Sequence, residues 1–155
     1  EVAHVQPDGR AVPCARWARL PLGGKWACPE SPAWLYVGPE HHKMGEHVRA
    51  CLWAHPPRAG RLEIRYPEVP LGGTLAIWAG HTLNASKRAE APVFLDVGIG
   101  DGPEQRFAVA LEATWRPFRL ATPTATTATV TFAVSSPNNG ANHFCFVADT
   151  REVPR

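Results

Sequence analysis

Three histidines and a methionine fall between residues 41 and 47 (His41, His42, Met44 and His47), just ahead of Cys51. Imidazole and thioether together suit copper, above all Cu(I), in an oxidising compartment. A metal site needs convergence, however, and this spacing works against it. His41 and His42 are adjacent, so in an extended chain they point to opposite sides. Met44 and Gly45 read as a turn. His47 opens a strand that carries Arg49 and Cys51 on its own face. The stretch is expected to be a polar lead-in to that strand, with copper on these four side chains as an alternative. Elsewhere the chain has no G-x-S-x-G elbow, no H-E-x-x-H pair and no Walker sequence. The carboxylates Asp96, Asp101, Glu104 and Glu112 are spread over different segments, so a glycosidase pair is not indicated. Asp101 and Glu104 flank a Gly-Pro turn that could hold a structural calcium ion, although a plain turn is the favoured reading. The chain is expected not to be an enzyme.

The elements that must position these residues are strands. The chain has 155 residues, a normal length for one domain, and 45% are hydrophobic, enough for a full core. Sixteen prolines and thirteen glycines divide it into short segments, as in an all-β domain with many turns. A net charge of +2, with the basic residues scattered, argues against a nucleic-acid partner. No apolar run approaches the roughly 20 residues of a membrane span. Cys14, Cys28, Cys51 and Cys145 include no C-x-x-C pair, which argues against a zinc ribbon or a thioredoxin-type motif. Their even number points to two disulfides, with three pairings open, and to a periplasmic, cell-surface or secreted location. Because the chain opens on Glu1, a removed signal peptide or a start within a longer protein is expected.

Period-two alternation recurs along the chain. Leu62, Ile64 and Tyr66 share one face of "RLEIRY"; Val93, Leu95, Val97 and Ile99 share one face of "VFLDVGI". "RFAVAL" and "TATVTFAV" behave alike. Turn clusters separate them, among them "HPPRAG", "PEVPLGG", "GDGPEQ" and "SSPNNGAN". Eight strands follow, at about 47–54, 61–66, 74–79, 92–99, 105–111, 116–121, 127–134 and 142–148. Such a count predicts a two-sheet antiparallel sandwich with jelly-roll wiring. Residues 1–46 are rich in Pro, Gly and Trp, and only Ala33–Gly38 reads as a strand. They are expected to form an N-terminal extension packed on the sandwich (47–149), with a short tail at 150–155.

The succession "RLEIRY", "GTLAIWAG", "PVFLDVGIGDG", "TWRPFRLAT" and "TATVTFAVSS" resembles the galactose-binding-like jelly-roll superfamily, in the version found in bacterial envelope proteins and accessory modules of carbohydrate-active enzymes. The resemblance covers about residues 47–149. It implies that the first and last strands lie side by side, hence a Cys51–Cys145 bridge, which leaves Cys14 to pair with Cys28. It also implies that loops alternate between two ends. One end gathers the loops 55–60, 80–91, 112–115 and 135–141, with His55, His81, Asn84, Lys87, Arg88, Trp115, Asn138, Asn139 and Asn142. The other gathers 67–73, 100–104 and 122–126 with the lead-in 41–46. Planar amides, guanidinium, imidazole and an aromatic face are what sugar hydroxyls and sugar C–H faces call for. His55, His81, Arg88, Trp115, Asn138, Asn139 and Asn142 are therefore the candidate glycan-binding residues. The expected role is a non-catalytic binding or accessory module whose partner is glycan or an envelope protein. A structural or interaction subunit docking through Trp17, Trp26 and Trp34 is the alternative, followed by a copper-binding protein.

Overall fold

The computed structural model describes residues 1–17, 24–29, 32, 35–138 and 140–152. Among them are eleven strands: β1 (Val2–Val5), β2 (Ala11–Pro13), β3 (Ala15–Trp17), β4 (Lys25–Ala27), β5 (Tyr36–Met44), β6 (His47–Ala54), β7 (Arg61–His81), β8 (Val93–Ile99), β9 (Gln105–Val109), β10 (Arg116–Ser135) and β11 (Phe144–Glu152). The one helix among the described residues, α1 (Leu83–Arg88), follows β7. Every strand pairing is antiparallel. The all-β sandwich and both expected disulfides, Cys51–Cys145 and Cys14–Cys28, are present. No helix among the described residues is long and apolar enough to cross a membrane.

Two long strands run through both layers. Residues 61–64 of β7 pair with β1, and 62–66 pair with 130–134 of β10, which in turn pairs with β8. Residues 74–81 of β7 lie between β11 and residues 116–121 of β10 in the other layer. The expected turns at 67–73 and 122–126 are therefore not loops. They pair with each other through register shifts, Thr124 opposite Gly72 and Ala128 opposite Val69. Proline and glycine bend a strand at bulges without ending it when the ladder resumes on the far side. Glu68 and Ala125 take positive φ (52° and 54°) at this corner. Gly72 is needed there, because a Cβ would sit 2.7 Å from the backbone of Arg151 on β11.

Inward-facing Leu62, Ile64, Ile77, Leu95, Val97, Phe132, Val134, Phe144 and Phe146 form the main core. The alternation seen in the sequence is what turns them inward. Residues 1–46 supply five strands, where only Ala33–Gly38 had been expected. Four of them run for only three or four residues, too short for periodicity to register; β5, with nine, continues the expected strand past Gly38. The β1–β2 hairpin borders β7, and β3, β4 and β5 extend the layer of β6. Helix α1 lies in a stretch read as loop; six residues give too few turns to show a stripe. Its sequence mark is Thr82, which caps it by accepting from Ala85 N at 3.3 Å, with Lys87 and Arg88 in its last turn.

A second, smaller core lies on the outer side of the β11–β7 layer. Met44, Cys51, Trp53, Trp115 and Cys145 are buried together, with Tyr36, Trp78 and Val147 against them. It forms because the β5–β6 hairpin rolls over that side. Gly45 N donates to Ala113 O at 2.6 Å, and Trp115 Nε1 donates to His47 O at 3.0 Å. The tip at 44–47 thus rests on the 112–115 loop, at the end of the sandwich opposite to the one expected. Alternation could assign faces within this hairpin, but not the roll of the hairpin as a whole. Gly80 admits the close approach: a Cβ there would meet Thr114 O at 2.4 Å and Met44 Sδ at 2.7 Å.

Gly80→Ala is expected to cost about 1–3 kcal/mol, since the carbonyl it meets belongs to backbone; urea denaturation checks this. Removing Cys51–Cys145 by paired alanines should cost more than removing Cys14–Cys28. The sequence separations are 94 and 14, for which loop entropy gives about 4.7 and about 3 kcal/mol. Melting temperatures of the two double variants give the ranking.

Candidate functional site

The expected glycan end resolves into two groups of side chains. His55 (2% exposed), His81 and Asn142 (both 0%) are interior, and Trp115 is buried in the second core. They serve the backbone instead of facing solvent together. His55 Nδ1 pairs with Pro56 O at 2.9 Å and His81 Nδ1 with Ala110 O at 3.1 Å. Asn142 Nδ2 donates to Ser136 Oγ at 3.0 Å and to Asn138 O. Asn138 closes the same loop, donating to Glu90 Oε2 at 2.6 Å and accepting from Gly140 N at 2.9 Å. These polar groups knit loops whose peptide groups would otherwise be buried without partners. Asn139 lies outside the described residues. Arg88, Asn84 and Lys87 are exposed on α1.

Arg88 instead borders a polar, ring-rich shelf built by β4, β5, β6 and the approach to β11. Tyr36, Glu40 and His42 alternate onto one face of β5, and pairing of Gly38 with Trp53 puts Trp53 on that face. Tyr36 stacks on Trp53 with ring centroids 6.0 Å apart and planes 25° apart. The rings of His42 and His143 lie 5.3 and 5.4 Å from Trp53, and His55 lies 6.2 Å from His143. On the other flank, Lys25 Nζ and Tyr36 OH both donate to Glu40 Oε1, at 2.8 and 2.7 Å. The Lys25 ammonium also sits 3.7 Å from the centroid of the Tyr36 ring. Thr82 ties α1 to this surface: its N donates to His143 O at 3.1 Å, and its Oγ1 is 3.4 Å from His143 Nδ1.

The shelf presents neutral imidazoles beside an ion pair. Burial lowers His42 and His55 below the ordinary histidine value. Burial, then the charge of Arg88, lowers His143. Burial opposes the charge on Glu40, yet the bonds from Lys25 and Tyr36 outweigh it and hold the carboxyl below its ordinary value. Lys25 is raised by the same bonds against its own burial. Tyr36 is raised by burial and by its hydrogen bond to Glu40. Of the shelf residues, sequence reading had named His42, His55 and Arg88. Alternation along 36–44 would have added Tyr36 and Glu40 had that stretch been read as a strand. Nothing in the sequence marks His143.

The copper set does not converge. His41 and His47 are exposed, and His42 turns to Trp53 from the opposite face of β5 to His41. Met44 is 1% exposed beneath Gly80 and Trp115. Among the described residues no three of His, Cys, Asp and Glu are placed to hold a metal ion. Glu104 pairs with Arg61 at 2.7 Å, while Asp101 is exposed. Asp96 is held at 2.7 and 2.9 Å by the Arg106 guanidinium, and Glu112 pairs with Arg116. Trp26 packs against the main core; Trp34 and the side chain of Trp17 lie outside the described residues.

No protein-family model matches the chain. No curated protein matches it either. Solved structures similar in fold include one holding CBM51-2, in complex with GlcNAc, and the INT domains of Clostridium perfringens ZmpB (10% identity, 96% of this chain, 28% of that chain, TM-score 0.48). Another holds the CBM22-1–GH10 modules of a Clostridium thermocellum endo-1,4-beta-D-xylanase with xylohexaose (14% identity, 76% and 25%, TM-score 0.40). A third is TmCBM61 with beta-1,4-galactotriose (14% identity, 64% and 71%, TM-score 0.36). The chain spans only about a quarter of the length of the first two.

His81 reports on the packing behind the shelf. Burial lowers its pKa to about 4, against the hydrogen bond to Ala110. A histidine depressed in the folded state binds its proton more readily when unfolded. Its contribution is therefore complete above about pH 6.5 and falls as pH drops towards 4. His42, His55 and His143 act in the same direction. The melting temperature should decline over that window, and His81→Leu should flatten the decline; a melting series against pH measures both.

Proposed function

We propose that this chain is a non-catalytic module that binds glycan outside the cytoplasm through the Lys25–Tyr36–Glu40–His42–His143–Arg88 shelf. One observation carries the reading. Five side chains with planar or multiply hydrogen-bonding ends, Lys25, Tyr36, Glu40, His42 and His143, gather around Trp53 through ring contacts and shared hydrogen bonds, and the exposed Arg88 lies near enough for its charge to act on His143. Sugar rings offer hydroxyls that donate and accept together, and a C–H face that packs on flat rings. Neutral imidazoles and a shared carboxylate match the first; Tyr36 and His143 offer the second. A surface already locked by its own contacts has little ordering entropy left to lose on binding. Two disulfides accord with an oxidising compartment.

The test is titration calorimetry of the whole chain against a panel of bacterial and plant polysaccharides, with Cu²⁺ or Ca²⁺ added and again with chelator. Saturable, sugar-selective and metal-independent binding is the expected result. Arg88→Ala and His143→Ala should each weaken it about tenfold, the loss of one charge-assisted or buried hydrogen bond. The melting temperature of Arg88→Ala should be unchanged, because the side chain is exposed. Absence of saturable binding across the panel, or binding indifferent to both variants, sinks the assignment.

A further inference from the structure

β6 meets β11 at only two residue pairs, Cys145 opposite Trp53 and Phe146 opposite Leu52. Beyond them the β5–β6 hairpin rolls away. Residues 147–152 of β11 keep β7 on one side. On the other side, among the described residues, no strand pairs with them. Along this free edge lies a cleft of about 370 Å³ that reaches between the layers. Ala50 and Leu52 form one wall and Ala148 the other, over a floor of Tyr66, Val69 and Phe132. Among the described residues no charged side chain lines it. Tyr66 is 41% exposed, and Val48, further along β6, is 64% exposed.

We propose that this cleft receives an extended segment of a partner protein, with apolar residues at alternate positions, which adds as a strand to the free edge of β11 from Val147 to Arg151. The choice of occupant follows from two unmet demands at one place. The floor exposes apolar surface, which any apolar ligand would cover. The β11 edge exposes peptide N–H and C=O groups, which an acyl chain would cover without satisfying, at the cost of stripping their water. Only a peptide strand meets both, placing alternate side chains in the cleft while its backbone completes the ladder. Charged residues on an edge strand normally discourage such pairing. Here Asp149 and Arg151 share the face of Cys145, away from the cleft, and pair with each other at 3.7 Å. They leave the edge open and favour opposite charges across from them on the incoming strand. This surface is separate from the shelf, so neither assignment depends on the other.

The chain supplies its own probe. Residues 73–79, Gly-Thr-Leu-Ala-Ile-Trp-Ala, already pair with the other edge of β11, with Leu75 and Ile77 in the core. An acetylated, amidated peptide of this sequence is titrated into the whole protein. Two analogues carry N-methyl groups on alternate residues, one set odd and the other even. Saturable binding is expected, with amide exchange slowed at Val147–Arg151. One N-methyl analogue should bind about tenfold or more weakly and the other nearly as well as the parent, because alternate N–H groups point to opposite edges. Ala50→Lys, at an exposed position, should weaken binding similarly at unchanged melting temperature. The proposal is overturned if the peptide does not bind, or if both analogues match the parent. It is also overturned if decanoate binds and the peptide does not. Self-association of the chain that Ala50→Lys abolishes, without peptide binding, would likewise replace the partner with a second copy.

Discussion

The junction of β6 with β11 is the constraint on which the rest of the molecule turns. Two backbone pairs and the Cys51–Cys145 bridge hold it, with Cα atoms 5.9 Å apart. A hairpin anchored so briefly is free to leave the plane of its layer. It rolls over the outer side of β11 and β7 until Gly45 and His47 engage the 112–115 loop. The roll buries Met44, Trp53 and Trp115 on one side and uncovers the β11 edge on the other. The shelf, the second core and the cleft are thus three consequences of one short contact. The disulfide makes that contact durable by restricting the unfolded chain across most of its length.

The interior of the shelf end is costly in polar groups. His81 and Asn142 are fully buried, and among the described residues His81 Nε2 and Asn142 Oδ1 have no hydrogen-bond partner. Trp53 Nε1 and His42 Nε2 are likewise buried, with no partner among the described residues. Such atoms weaken a fold unless something else gains from them. In this chain they lie in or behind the polar shelf, where the imidazoles of His42, His55 and His143 pack ring on ring about Trp53. The shelf end is therefore weak against protonation, because burial disfavours the charged form of each imidazole.

The strands of the sandwich were readable because each alternates over five or more residues. The His47–Ala54 bounds matched the expectation, and Val93–Ile99 nearly so. Misreadings clustered where local chemistry and tertiary pairing disagree. "PEVPLGG" has the composition of a turn, yet β10 lies opposite it and continues the ladder. Separately, His55 and Asn142 were expected at a ligand site, and both lie buried with hydrogen bonds inside the chain. Burial of a polar side chain leaves no mark in the sequence, since the same residue type serves a buried carbonyl or a sugar hydroxyl.

From the sequence alone came the all-β class, the absence of familiar catalytic motifs, both disulfide pairings through the implied neighbourhood of first and last strands, and the separation of His41 from His42. The first and last follow from local periodicity, the second from the absence of the motifs themselves, and the disulfide pairings from the family resemblance. Tertiary structure alone decided that β7 and β10 pass unbroken between the layers, that 44–47 rests on 112–115, and that His143 joins Tyr36 and His42 on one surface. Those facts depend on how far a hairpin rolls about a two-residue hinge. That angle is settled by long-range packing against Gly80 and Trp115, residues whose proximity no local pattern encodes.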